Sequence, residues 1–338
     1  MPWEDVKEIL RPDKKDVHMG IMKVDHDKCT KCGLCMINCP FRAWEEDEGG
    51  FPAMKEQYEC FSCYNCKVAC PNDAIIIVEP YHVTNGYWKT DSYPLPAKMP
   101  LEAKDEEGNP TEWNAIEKAI FERRSVRNFK DKPIPESLIQ RVLEAGRFAP
   151  SAGNCQPWKF IVITNKALIE KIDKEVYKLL SFMYKAYLDD NMVKNLVPLI
   201  EDPLLGPGNV DPRVILGGMG SVTRMGEEAV SLAAPCVILI LGDERAISGA
   251  DLNIGIAGEN MNLVANSLGI KACWNGFFAK FLNQVRSLKK KLGIKKPWSP
   301  ITSLCLGYPV FKQEGIVPRE YRPVTWYREG ADGPEIQE

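Results

Sequence analysis

Cysteine spacing carries the clearest chemistry in this chain. Cys29, Cys32, Cys35 and Cys39 precede Pro40, and the same spacing returns at Cys60, Cys63, Cys66 and Cys70 before Pro71. The stretches DKCTKCGLCMINCPFRAW and YECFSCYNCKVACPNDAI align Cys for Cys and Pro for Pro. Three thiolates so spaced can wrap one face of a cubane iron–sulfur cluster, with a fourth arriving from elsewhere. Zinc sites and disulfides also use clustered cysteines, but neither needs four of them in this order twice, nor the trailing proline. A second kind of chemistry lies further on. In RRSVRNF, Arg123, Arg124 and Arg127 surround Ser125, a set suited to charge-assisted hydrogen bonds with a phosphate. APSAGNCQPWKF, from Ala149, is a run of small and amide-bearing residues that suits the polar edge of a planar ring. Taken alone, arginine clusters are most often solvated surface.

The elements that must position these groups fall into three regions. Residues 20–80 hold the internal repeat. Residues 81–111 are rich in Pro, Gly and charge without an apolar period, which predicts a connector. Residues 112–338 read as one α/β domain. It opens on a helix in WNAIEKAIFERRS, with Thr111 as cap and Trp113, Ile116 and Ile120 recurring at helical spacing. A second helix is predicted from near Pro135, with Leu138, Ile139, Val142 and Leu143 inward. WKFIVIT reads as a buried strand, Lys166 to about Asp190 as helix, and CVILILG from Cys236 as a central strand. DLNIGIAGENMNLVANSLGI suits a closely packed buried helix, and ITSLCLGYP a last core strand. The Gly-rich stretch 203–226 is read as a mobile lid or active-site loop.

Composition excludes several functions. With 43 basic and 46 acidic residues, a net charge of −3 offers no footprint for a phosphate backbone, so nucleic acid is not an expected partner. No apolar run approaches the roughly 18 residues of a membrane span. The acidic start MPWEDVKEILRPDKK does not read as a signal peptide, and a cytoplasmic location is expected. There is no GxGxxG between strand and helix and no P-loop. All three histidines precede residue 112, which excludes a Ser–His or Cys–His pair inside the second domain. Cys155, Cys236, Cys273 and Cys305 lack ligand spacing and read as core thiols, with Cys155 and Cys273 the two beside candidate site segments. Trp158 and Trp274 likewise read as packing.

The doubled cysteine run resembles the two-cluster bacterial 4Fe–4S ferredoxin module, in which the fourth cysteine of each run ligates the opposite cluster. That resemblance implies one cluster on Cys29, Cys32, Cys35 and Cys70, and a second on Cys60, Cys63, Cys66 and Cys39. RRSVRNF and APSAGNCQPWKF resemble the two N-terminal signatures of the nitroreductase family of FMN enzymes, and the similarity continues through AGENMNLVANSLGI, WNGF and LGYP. It implies an α+β chain: a ferredoxin-like domain, then an FMN domain whose central, mostly antiparallel sheet is flanked by helices. Arg123, Arg124 and Ser125 would meet the FMN phosphate, and Arg127 would lie near the pyrimidine end of the ring. Pro150, Ser151, Ala152, Asn154 and Gln156 would reach the flavin of a second copy, in a homodimer with FMN at its interface. The backbone of Asn275 and Gly276 would address N5 and O4, and Arg319 and Arg322 would close on the phosphate. The implied activity is electron flow from a low-potential donor such as ferredoxin, through two clusters and FMN, to a small organic acceptor. That acceptor could be a nitroaromatic, quinone, enone or halogenated ring. Reverse flow, an NAD(P)H-dependent flavin reductase and a non-catalytic electron-transfer subunit are the alternatives. No catalytic residue is assigned. The chain departs from simpler relatives in its fused cysteine module, in the stretch 203–226, and in Asn275 where some carry Glu.

Overall fold

The computed structural model describes residues 2–90, 100–202, 206, 210–312, 315–319, 322–330 and 333–337. The chain forms two compact units, one of residues 1–11 and 115–313 and one of residues 12–114 and 314–338. This division departs from the expected boundaries 20–80, 81–111 and 112–338 at both ends. Helix α1 (Trp3–Leu10) buries Val6 and Leu10, and Arg11 after it donates to the Tyr187 carbonyl (2.9 Å) and to Asp190 (2.6 Å), so the first residues join the larger unit.

The smaller unit is built on the cysteine repeat. Strand β1 (Val17–His18) is followed by β2 (Ile21–Val24) and the first cysteine loop, which enters α2 (Leu34–Ile37). A hairpin of β3 (Trp44–Glu46) and β4 (Pro52–Met54) leads to the second loop, α3 (Asn65–Ala69), β5 (Ile75–Glu79) and β6 (His82–Val83). β2 pairs antiparallel with β5, so the two runs are held back to back, and β1 pairs with β6. Residues 81–90 thus belong to the unit rather than to a connector, while 91–99 lie outside the described residues. Met22, Trp44, Tyr64 and Ile75 form the small core together with cysteines of both runs and with Val317. Burial of Val317 is what ties the last segment to this unit.

In the larger unit, α4 (Ala115–Glu122) starts later than Thr111 could cap, and it buries none of its residues. Ile116 and Ile120, which recur at helical spacing, are 71% and 48% exposed. α5 (Glu136–Arg147) buries Ile139 and Val142, with Leu138 and Leu143 packed alongside. β7 (Trp158–Ile163) is an edge strand with Lys159 and Val162 exposed, not the fully buried strand its composition suggests. After α6 (Lys166–Leu188) and the short α7 (Pro198–Glu201), residues Arg213–Met219 form a wide π-type helical turn that runs into α8 (Gly220–Met225). The described part of the expected lid is therefore largely helical. Gly218 serves packing, since a Cβ there would lie 2.6 Å from the Phe277 ring.

β8 (Cys236–Asp243) is buried along nearly its whole length. It is followed by α9 (Ala250–Ser267), β9 (Lys271–Trp274), α10 (Gly276–Gln284), α11 (Arg286–Lys291) and β10 (Trp298–Gly307). The sheet order is β7-β8-β10-β9 and every pairing is antiparallel. Cys236, Ile238 and Ile240 face α5 and α9, while the equally buried Val237, Leu239 and Leu241 point to the other side of the sheet. β11 (Val324–Trp326) and β12 (Glu335–Gln337) pair in the tail. Among the described residues, no helix is long and apolar enough to cross a membrane.

One buried acid makes this fold pH-sensitive. Asp173 of α6 accepts from the Ser231 hydroxyl at 2.6 Å, but its other oxygen is buried with no hydrogen-bond partner among the described residues. Burial pushes its pKa up to about 7, with nearby Glu228 and Glu170 adding to the shift. The folded state then binds a proton that the unfolded chain has released, so stability falls as pH rises from about 4 to about 7, by roughly 4 kcal/mol at most. Asp173→Asn is expected to flatten that part of a urea-unfolding profile; an unchanged pH slope would refute the assignment.

Candidate functional site

The smaller unit brings its eight cysteines into two sets. At equivalent positions of the two runs the backbone turns left-handed, at Lys31 and Gly33 in the first and at Ser62 and Tyr64 in the second. Such turns curl the loop around a centre with its N–H groups pointing inward. The amides of Ala43 and Ala74 donate to the sulfurs of Cys39 (3.4 Å) and Cys70 (3.2 Å), again at matching places. Cys29, Cys32, Cys35 and Cys70 line one cavity, closed by Pro52 and Ile75. Burial pushes the Cys35 thiol up to about 11, with Cys70 and Cys32 adding to it. Burial pushes Cys60 up to about 12, helped by Cys63 and Cys39, and Cys66 is raised by burial and by the same neighbours. Cys70 thus stands with the first run and Cys39 with the second. As bare thiols these groups crowd one another, and each resists ionising. A cationic cluster would remove both penalties, so the soft all-sulfur donor set fits 4Fe–4S ligation.

In the larger unit the arginine motif runs along the sheet edge. Ser125 bridges to Ala272 of β9, the Val126 amide donates to the Ala272 carbonyl (3.1 Å), and Phe129 bridges to Pro309 beyond β10. Arg124 is 5% exposed, and burial holds its pKa down to about 10. Lys271, at the start of β9, is lowered by burial and then by Arg124. Arg124 and Lys271 therefore sit close enough to repel, an arrangement that an anion would relieve. Glu259 of α9 orders the surroundings: Arg123 reaches it at 2.9 Å, and the Trp274 indole and the Asn262 amide each donate to it at 3.0 Å. Gly258 makes room for this, since a Cβ there would overlap the Trp274 ring.

The turn after β9 departs from expectation in one respect. The Asn275 amide donates to the Ser303 carbonyl at 2.8 Å, as the next rung of the β9–β10 ladder, and is not available to a ligand. Its side chain caps α10, accepting from Phe278 (3.1 Å) and donating to the Val230 carbonyl (2.6 Å). Gly276, the first residue of α10, faces open space, where a Cβ would meet nothing within 4 Å. It is the member of the pair placed to approach a ring. Such an opening, at the positive end of α10 and following the strand whose far end holds Lys271 close to Arg124, fits a flat, phosphate-bearing cofactor.

The second motif lies elsewhere in the chain. Ser151 accepts from the Gln156 amide (3.0 Å), Asn154 and Gln156 adopt positive φ, and Pro150, Asn154 and Gln156 are exposed. This loop enters β7 opposite Gly242 and Asp243, next to the start of β10, whereas Ser125 and Phe129 sit by its end. Ten residues of strand, about 30 Å, separate the two motifs within one chain. Arg319 and Arg322 are exposed and belong to the smaller unit, and Glu320 and Tyr321 between them lie outside the described residues. Cys236, Cys273 and Cys305 are buried, but Cys155 is exposed, contrary to its reading as a core thiol, because it sits on the same open loop.

The model of the nitroreductase family matches residues 120–308, more than half of the chain. The chain belongs to the nitroreductase family. A second model, the 4Fe-4S dicluster domain, matches residues 28–75. A Methanothermobacter thermautotrophicus protein named for NADH dehydrogenase/NAD(P)H nitroreductase is 27% identical over 206 residues, covering 60% of this chain and 81% of the relative. Nitrobenzene nitroreductase of Ectopseudomonas oleovorans is 23% identical over 205 residues, covering 57% and 86%. Among solved structures, an FMN-bound nitroreductase from Desulfitobacterium hafniense is 26% identical with a TM-score of 0.46, covering 61% of this chain and 95% of its own. This nitroreductase thus joins an oxidoreductase domain to a 4Fe–4S domain. Two residues of the candidate site escaped sequence reasoning, Glu259 and Lys271. The signal available was an acid in the middle of a helix rich in Ala, Gly and Asn, and a lysine two residues before the CWNGF segment.

Proposed function

We propose that this protein is an iron–sulfur flavoprotein oxidoreductase that takes electrons from a low-potential donor such as ferredoxin and delivers them to an organic acceptor. The observation that carries the reading is the pairing, in one chain, of an all-thiol cavity drawn from both cysteine runs with a buried Arg124–Lys271 cation pair at the other end of β9 from an open glycine. Cys29, Cys32, Cys35 and Cys70 would hold one 4Fe–4S cluster, and Cys60, Cys63, Cys66 and Cys39 the other. When bound, the clusters supply one-electron transfer and FMN supplies two-electron chemistry.

Arg123, Arg124, Ser125 and Lys271 would neutralise and orient the phosphate, and Arg127 would place positive charge at the pyrimidine end, where reduction builds up anion. Gly276 lets the ring approach the N-terminus of α10. Pro150, Ser151, Ala152, Asn154 and Gln156 would complete the pocket of a second copy in a homodimer. The roughly 30 Å between the two motifs in one chain supports this arrangement. The contribution of Arg319 and Arg322 to the phosphate is part of the same proposal. Covalent fusion spares the electron carrier a diffusional encounter with the flavin domain.

Acceptor class follows from what such a domain can reduce: a nitroaromatic, quinone, enone or halogenated ring. Relatives named for nitrobenzene reduction and for iodotyrosine deiodination (32% identical over 77 residues in Hydra vulgaris) support the first and last of these. A second reading, NAD(P)H as donor with the clusters exporting electrons, is favoured by the name of the Methanothermobacter relative. Anaerobic purification with iron, sulfide and flavin analysis, followed by stopped-flow mixing with reduced ferredoxin and with NADH, separates the two. Flavin bleaching by ferredoxin supports the first reading, bleaching by NADH alone supports the second, and colourless protein overturns both.

Glu259→Gln tests the positioning of Arg123. Loss of the carboxylate charge releases that guanidinium while a hydrogen bond to Trp274 remains possible. FMN affinity is expected to fall by about 10-fold, a loss of roughly 1.4 kcal/mol, as measured by fluorescence titration. Unchanged affinity would remove Glu259 from the site.

A further inference from the structure

Apart from the cysteines, the smaller unit gathers a second set of ligand atoms. His18 of β1 and His82 of β6 stand directly opposite each other in the β1–β6 ladder, and Glu79 closes β5 three residues before His82. The two imidazoles stack with centroids 4.5 Å apart and planes 3° from parallel. One ligand atom from each of His18, Glu79 and His82 lies within 4.8 Å of the other two. Nδ1 of His82 is 3.1 Å from the Pro80 carbonyl. A carbonyl can only accept, so Nδ1 carries the hydrogen and the neutral ring keeps its lone pair on Nε2. That lone pair faces a Glu79 oxygen at 3.5 Å. The Nε2 lone pair and the carboxylate thus present two electron-pair donors to the same point, which a metal ion can bridge.

We infer that His18, Glu79 and His82 form a binding site for a borderline divalent transition ion, with zinc as the natural probe. Two imidazoles and one carboxylate are a common zinc donor set, leaving a fourth position for water. The hydrogen bond from His82 to a backbone carbonyl is the outer-shell contact that fixes the tautomer of a ligating histidine. Zinc–ligand bonds of about 2.0–2.2 Å require the atoms to draw together from their present spacing, with the rings splaying so that their lone pairs converge. His18 is exposed, and Glu79 and His82 are partly so, which leaves an ion a path from solvent. The consequence is structural. β1 and β6 are only two residues each, too short a ladder to hold by itself, and the ion would pin the segment before the cysteine repeat to the segment after it.

The test uses the full-length, cluster-loaded protein in metal-free anaerobic buffer, titrated calorimetrically with zinc while iron and sulfide are measured on the same samples. Saturation at one zinc per chain is expected, with iron unchanged and a raised thermal midpoint. His82→Gln, and separately the exposed His18→Gln, should weaken binding at least about 10-fold at unchanged iron content and abolish the thermal shift. Absence of saturable binding overturns the site. So does zinc uptake that tracks loss of iron, or affinity equal in wild type and both variants, since the metal would then be on cysteines or elsewhere.

Discussion

Cys70→Ala should leave the protein with about half its iron and sulfide while its flavin content stays unchanged. The expectation comes from the cavity shared by Cys70 with Cys29, Cys32 and Cys35. Removing the sulfur that arrives from the second run strips that cluster of a ligand while Cys60, Cys63, Cys66 and Cys39 stay together. Cys39→Ala should damage the other cluster by the same logic. If the runs were instead self-contained, Cys70→Ala would disturb the set of Cys60, Cys63 and Cys66, and a paramagnetic signature of the surviving cluster would tell the two cases apart. Ferredoxin-driven turnover should collapse in both variants. An iron content equal to wild type would sink the assignment.

Arg124→Ala should weaken FMN binding by about 10- to 150-fold, the roughly 1.5–3 kcal/mol of a charge-assisted hydrogen bond to phosphate. Arg124 is buried beside Lys271, so its charge acts where water screens it little. Arg124→Lys should recover only part of the affinity, because an ammonium cannot reproduce the planar two-pronged contact. Circular dichroism of the flavin-free variants separates lost binding from lost folding. Equilibrium dialysis showing wild-type affinity in a folded Arg124→Ala protein would remove this residue from the site.

Several elements were legible from local pattern because their cause is local. The apolar run CVILILG between Pro235 and Gly242 becomes β8, and the stripe of Ile139 and Val142 becomes the inner face of α5. Other readings failed where the deciding contact is distant. Ile116 and Ile120 have helical spacing but stay 71% and 48% exposed, so periodicity identified the helix and not its burial. WKFIVIT has the composition of a buried strand, yet sheet order placed it at an edge. Gly218 read as flexibility but lets a helical turn approach Phe277. Val317 could not be assigned to the cysteine unit from sequence, since nothing near it in the chain signals where it packs.

The amino-acid sequence by itself determined the donor types and their order: eight thiols in two matched runs, and three guanidiniums within five residues. These follow from covalent spacing, which limits what a loop can wrap. Tertiary structure alone decided that Glu259 holds Arg123 and Trp274 together, and that Asn275 spends its amide on the sheet. Each of those depends on strands and helices far apart in the chain meeting in one register, and register is set by the burial of whole faces rather than by any short motif.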